Sequence, residues 1–225
     1  MLVLLAVPGS AAFATAATTA SVLAAAKAAI AKQSSVHVTV TVKPSSTSAT
    51  EKIVGDLGEK SGAETFTLGK ATMTMELTPA YGYVSGNASG LTSIFGLTSA
   101  QAKKLGKDWA VVKAGTSEYS DVKSSLTVPS IADVLPQAKG TKLSTRDVKG
   151  VKQYVLSWTV AATSSTPKLS HTLTVSAVGP NLPVDDTITA ANAGKETITF
   201  SQWGAPVAIH APPADTTVAY AEITG

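Results

Sequence analysis

Cysteine is absent from the 225 residues, and with it go disulfides, thiolate metal sites and thiol catalysis. Arginine occurs once, as Arg146, and eighteen basic residues against fifteen acidic ones leave a formal charge of +3. The lysines are scattered singly or in pairs, so no basic stripe forms and nucleic acid is not an expected partner. Aromatic residues make up only 5% and charged residues 15%. The three histidines, His37, His171 and His210, lie far apart, and none stands in a two-histidine spacing with a carboxylate. The expected metal site is therefore none.

Catalytic motifs are equally sparse. There is no phosphate-binding glycine loop and no G-x-S-x-G elbow, since "GYVSG" and "GNASG" set the serine one residue too late. "SDVK" and "STPK" fit S-x-x-K without the companion motifs of a Ser/Lys acyl enzyme. Asp185 and Asp186 are adjacent, so on a strand they point to opposite faces. They make a poor acid/base dyad and read as a turn signal. No catalytic residue and no cofactor is expected.

What is present is a hydrophobic fraction of 44%, carried largely by Ala and Val among many Thr and Ser residues. That composition favours strands in a globular chain of one domain. At the N-terminus, "MLVLLAVPGSAAFATAATTA" has an apolar run from Leu2 to Val7 and a Pro8-Gly9 break. Small residues then stand in A-x-A arrangement at Ala12/Ala14 and Ala14/Ala16. This pattern predicts a signal peptide over residues 1–17 and an exported chain beginning near Ala17, the other reading being a buried N-terminal helix. No later run reaches the length needed to span a bilayer.

Periodicity then organises the rest. "ASVLAAAKAAIAKQSS" puts Val22, Leu23, Ala26 and Ile30 on one face of a helix. "VHVTVTVKP" alternates strictly, Val36, Val38, Val40 and Val42 on one face and His37, Thr39, Thr41 and Lys43 on the other. The next runs turn at Gly58–Gly62, place Ala71, Met73, Met75 and Leu77 together, and end a five-stranded meander in "AYGYVSGN". A helical block follows with a stripe of Leu91, Ile94 and Phe95, then a helix with Thr98 as N-cap, Gln101 as its capping-box partner and Gly106 past its end. Trp109 and Val111 share a face of the next strand. Two short helical patterns come after it, Tyr119/Val122/Leu126 and Ile131/Val134/Leu135, stopped by Pro136. Strands resume in a hairpin turning at Val148-Lys149-Gly150, with Tyr154, Leu156, Trp158 and Val160 on one face. A further strand, "KLSHTLTVSAV", precedes a hairpin around Asn192-Ala193-Gly194. About ten strands with a few segregated short helices predict an α+β domain.

The leading helix running into "SSVHVTVTV", the central "GLTSAQAKKLGKDWAVVKAG", the hairpin "DVKGVKQYVLSWTV" and the closing "ITFSQWGAPVAIHAPP" resemble one family. It is the LppX/LprG-type lipid-carrier lipoproteins of the actinobacterial envelope, more distantly the LolA/LolB-type carriers. The likeness covers most of the chain after residue 20. One departure is the family's lipidated cysteine, for which this sequence has no counterpart. The resemblance implies a strongly curved antiparallel half-barrel over residues 18–225, with short helices on its concave face and an apolar cavity between them. It implies non-enzymatic binding or transport of an acyl lipid or lipoglycan at the cell envelope, by a monomer.

On that reading the expected lining residues are Val38, Val40, Met73, Met75, Tyr154, Leu156 and Trp158 from the strands, opposite Leu91, Ile94 and Phe95. Lys103, Lys104, Lys107 and Lys113 gather around one helix and the next strand, where they would steer the protein to an anionic membrane surface or simply form a solvated face. Two alternatives stand beside the carrier: a structural or sensory envelope domain with a filled core, and a hydrolase.

Overall fold

The computed structural model describes residues 16–45, 50–133, 135–164, 166–190 and 194–225, with residue 133 as backbone only. The apolar run at Leu2–Val7, Val134, and Asn192 and Ala193 of the expected hairpin turn lie outside them. Twelve strands form one open, curved sheet: β1 Ser35–Pro44, β2 Glu51–Gly58, β3 Gly62–Leu68, β4 Ala71–Leu77, β5 Tyr81–Gly86, β6 Trp109–Lys113, β7 Lys142–Val148, β8 Val151–Val160, β9 Leu169–Ser176, β10 Pro183–Ala190, β11 Gly194–Ser201 and β12 Thr217–Ala219. Their order is β12-β6-β5-β4-β3-β2-β1-β11-β10-β9-β8-β7. Two meanders, β1–β6 and β7–β11, are thus joined where β1 pairs with β11. All neighbours run antiparallel except β12, which lies parallel to β6.

The strands form where the sequence alternates, and the turns form where it supplies the right backbone. Lys149 and Gly150 both take positive φ, 54° and 81°, in the two-residue connection of β7 to β8. That geometry matches the twist of a hairpin. Asp185 and Asp186 sit within β10 and not in a turn, because the alternation of Asp186 and Ile188 continues the strand through them. The strands also exceed the expected ten, chiefly through β12, three residues too short to show a period.

Helices lie against the concave face. In α1, Thr19–Ile30, the Thr18 side chain accepts from Ser21 N–H, and Val22, Leu23, Ala26 and Ile30 are buried. Helix α2, Ala88–Ser93, packs on β3–β5. Helix α3, Ser99–Leu105, has the expected capping box between Thr98 and Gln101 and ends at Gly106 with φ 65°. Helix α4, Ser117–Ser125, buries Tyr119 and Val122 over β4–β6. Helix α5, Pro129–Asp133, packs on α1 and ends before Val134, and α6, Tyr220–Thr224, packs on α3. One continuous apolar core joins α1, α2, α3, α4 and α6 to the sheet.

After β11 the chain leaves the sheet at Gln202 and Gly204, whose φ values are 52° and 76°. Ser35 Oγ donates to Ala205 O at that corner. The Pro-rich segment 205–213 then crosses the convex face along one register row, His37, Asp56, Ala63, Glu76, Tyr83 and Val111. It delivers β12 to the free edge of β6. A polar convex face is therefore partly roofed by a strap, which accounts for the burial of Tyr83 there.

Candidate ligand cavity on the concave face

Registers show which side chains face the helices. Leu156, Leu173, Asp186, Ile198 and Val40 stand side by side across β8, β9, β10, β11 and β1. The next row is Trp158, His171, Ile188, Glu196 and Val42. Three ionisable residues therefore interrupt an otherwise apolar surface.

Over these rows lies a largely enclosed cavity of about 230 Å³, roofed by Ile131 and Leu135 at α5. Its walls are Leu173, Pro183, Ile188, Ile198 and Phe200, with His171, Asp186 and Glu196 as polar members. A second, more open cleft of about 410 Å³ lies beside the first turn of α5, lined by Ile30, Val128, Pro129 and Ala132 together with Gln33 and Glu59. Helix α5 contributes residues to both.

The polar members are ordered among themselves. His171 Nδ1 lies 3.2 Å from Asp186 Oδ2, and its ring stacks on Trp158 at 4.4 Å with 14° between the planes. Asp186 Oδ1 is buried and has no hydrogen-bond partner among the described residues. Burial pushes the Asp186 carboxyl above its ordinary range, against the pull of His171 and of the Thr172 backbone N–H. Burial raises the Glu196 carboxyl too, reinforced by the negative charges of Asp186 and Glu51. On the convex face Asp185 has separate partners, the Arg146 guanidinium at 3.3 Å and the Thr174 hydroxyl at 3.1 Å. The two aspartates do different work because a strand sends them to opposite sides.

The residues expected to line a cavity all occupy the helix-facing side. Val38, Met73, Met75, Leu91 and Leu156 are buried in the continuous core. Val40, Ile94, Phe95, Tyr154 and Trp158 pack against it and are partly buried. None of the ten lines the enclosed cavity. Phe95 meets Tyr220 of α6 edge-on, and Tyr154 borders an open cleft with Ala16, Ala17 and Leu143. Trp158 stacks on His171, which lines the cavity. Among the described residues no group of three or more His, Asp or Glu side chains is arranged to hold a metal ion.

Neither the known protein families nor the curated proteins include a match to the sequence. Solved structures do match. LprF from Mycobacterium bovis superposes with a TM-score of 0.54 at 15% identity, covering 86% of this chain and 96% of its own. The Mycobacterium tuberculosis lipoprotein LppX superposes with a TM-score of 0.53 at 17% identity, covering 85% of this chain and 99% of its own. The likeness first carried by turns, caps and alternating strands is thus a likeness of the whole architecture, and the chain has the fold of the LppX/LprG-type envelope lipoproteins.

Proposed function

We propose that the protein is a non-enzymatic binder of an acyl lipid or lipoglycan, working as a monomer at the cell envelope after removal of its signal peptide. The observation that carries this reading is the enclosed, mostly aliphatic cavity between α5 and β9–β11. The shared fold supports it. Its volume, about 230 Å³, lies below the roughly 300–1,000 Å³ usual for small-molecule sites. One chain segment enters, and the rest of the lipid stays outside. Each methylene buried contributes about 0.8 kcal/mol, so a single segment suffices for reversible holding once its ordering cost is met. The four exposed lysines Lys103, Lys104, Lys107 and Lys113 supply a weak, salt-sensitive attraction to anionic headgroups.

The second reading, a structural or sensory domain with a filled core, draws on the close packing of Val38, Met73, Met75, Leu91 and Leu156. Native mass spectrometry of protein taken from its own envelope separates the two, followed by extraction and uptake of a neutral fluorescent alkyl probe. A lipid adduct, or stoichiometric uptake by the emptied protein, is the expected result. Protein that arrives empty and takes up no probe establishes the filled-core domain instead.

A further inference from the structure

The cavity is not chemically uniform. Its walls are aliphatic on most sides, but one side carries Asp186 of β10 and Glu196 of β11, with His171 of the neighbouring β9. Asp186 is only 7% exposed, and one of its oxygens has no donor among the described residues. None of the residues lining the cavity is a lysine or an arginine. The single arginine is engaged on the opposite face with Asp185, Thr174 and Gln153. A buried carboxylate oxygen without a donor costs free energy that a ligand's donor would recover. His171 offsets one negative charge when protonated, which leaves Glu196, and Glu51 beyond it, to set a negative field.

We propose that this cavity takes an alkyl chain whose inner end carries a hydrogen-bond donor, an alkylammonium group above all, with Asp186 as its acceptor. The inference rests on the reading of this cavity as a site for an alkyl chain and adds to it a donor group at the chain's inner end, which an unsubstituted acyl tail lacks. A hydroxyl satisfies Asp186 Oδ1 without answering the surrounding charge. A carboxylate meets Asp186 and Glu196 in a lining that has no lysine or arginine. Burial raises both cavity carboxyls, and an ammonium group beside them favours their ionised form. Non-specific attraction does not explain such a preference, because the chain as a whole carries +3.

The test is displacement of a neutral fluorescent alkyl probe from the mature chain at pH 7 by dodecylammonium, dodecanol and dodecanoate. The expected order of affinity is amine, alcohol, carboxylate. A charge-assisted hydrogen bond in a buried site separates amine from carboxylate by about tenfold or more. Asp186→Asn is expected to bring amine and alcohol within about threefold of each other. Ile198→Trp, which fills the cavity, is expected to abolish binding of all three. Dodecanoate binding as tightly as the amine overturns the inference, as does an amine preference that survives Asp186→Asn. Should that variant fail to fold, Glu196→Gln and the wild-type series decide the question. If the probe binds but the ranking is flat, only the assignment of the polar end falls; if nothing binds, the acyl-binding reading falls with it.

Discussion

Gly55 of β2 stands directly opposite Glu64 of β3, and the missing side chain of the glycine is what gives the glutamate its place on the concave face. A Cβ on Gly55 would collide with Glu64 Cγ and come within 2.9 Å of Ala63 O. Glu64 lies in the register row of Val38, Met75 and Val84, is only 8% exposed, and has no hydrogen-bond or ion-pair partner among the described residues. Burial alone pushes its carboxyl up from 4.5 to about 7.

That shift makes stability depend on pH. Because the folded state holds the Glu64 proton more tightly than the unfolded state, the favourable protonated form is fully present below about pH 4.5. Stability then falls as pH rises from 4.5 to about 7, and levels off above. The raised carboxyl corresponds to a cost of about 3 kcal/mol at pH 8. Glu64→Gln is expected to remove most of that slope, stabilising the protein at pH 8 and changing little at pH 4. Urea melts across this range check it; parallel curves for wild type and variant would contradict it.

Gly55→Ala is expected to destabilise by about 1–3 kcal/mol through overpacking. The loss should shrink when Glu64 is also truncated to alanine, since the clash is with that side chain. Chemical denaturation of the four proteins in the double-mutant cycle measures the coupling, and simple additivity would place the strain at the Ala63 carbonyl instead.

The core and the cavity respond differently to added volume. Met75 is 8% exposed and lies within the continuous core, so Met75→Trp is expected to cost about 1–3 kcal/mol or more. Ile198 borders unfilled space, and Ile198→Trp is expected to cost less than about 1 kcal/mol while blocking the alkyl probe. Thermal melts and probe uptake on the two variants give the comparison directly.

Lys103, Lys104, Lys107 and Lys113 are all exposed, and Lys104 Nζ also donates to Glu222 O of α6. Changing the four to glutamate is expected to abolish salt-sensitive binding to anionic vesicles with little loss of fold. Co-sedimentation at low and high salt reads this out. Unchanged binding would leave the cluster as a solvated face.

Much of the architecture was legible because alternation is a strong signal wherever one face is buried. The run from Val36 to Val42, the row of Met73 and Met75, and the face of Tyr154, Leu156 and Trp158 all follow from it. Caps did the same for α3. The polar side of the cavity was harder to see, since an inward carboxylate breaks the expected polarity. Yet Phe200, Ile198 and Glu196 share a parity in β11, as do Phe66 and Glu64 in β3. Counting parity through the charged residues, without treating them as surface, would have placed both glutamates inside. Asp186 was disguised by its neighbour, because two adjacent aspartates resemble a turn. Short β12 had no period to read, and its pairing with β6 is set by the strap and not by its own three residues.

The strap has a consequence for how the chain is assembled. During synthesis β6 emerges long before β12, and until β12 arrives β6 presents a bare row of backbone donors and acceptors. Such an edge is a template for pairing with another chain. The first meander therefore has both borders open, at β1 and at β6, until β11 pairs with the one and the strap carries β12 to the other. Covering of the β6 edge is thus a late event, a property of the finished molecule and not of its first half.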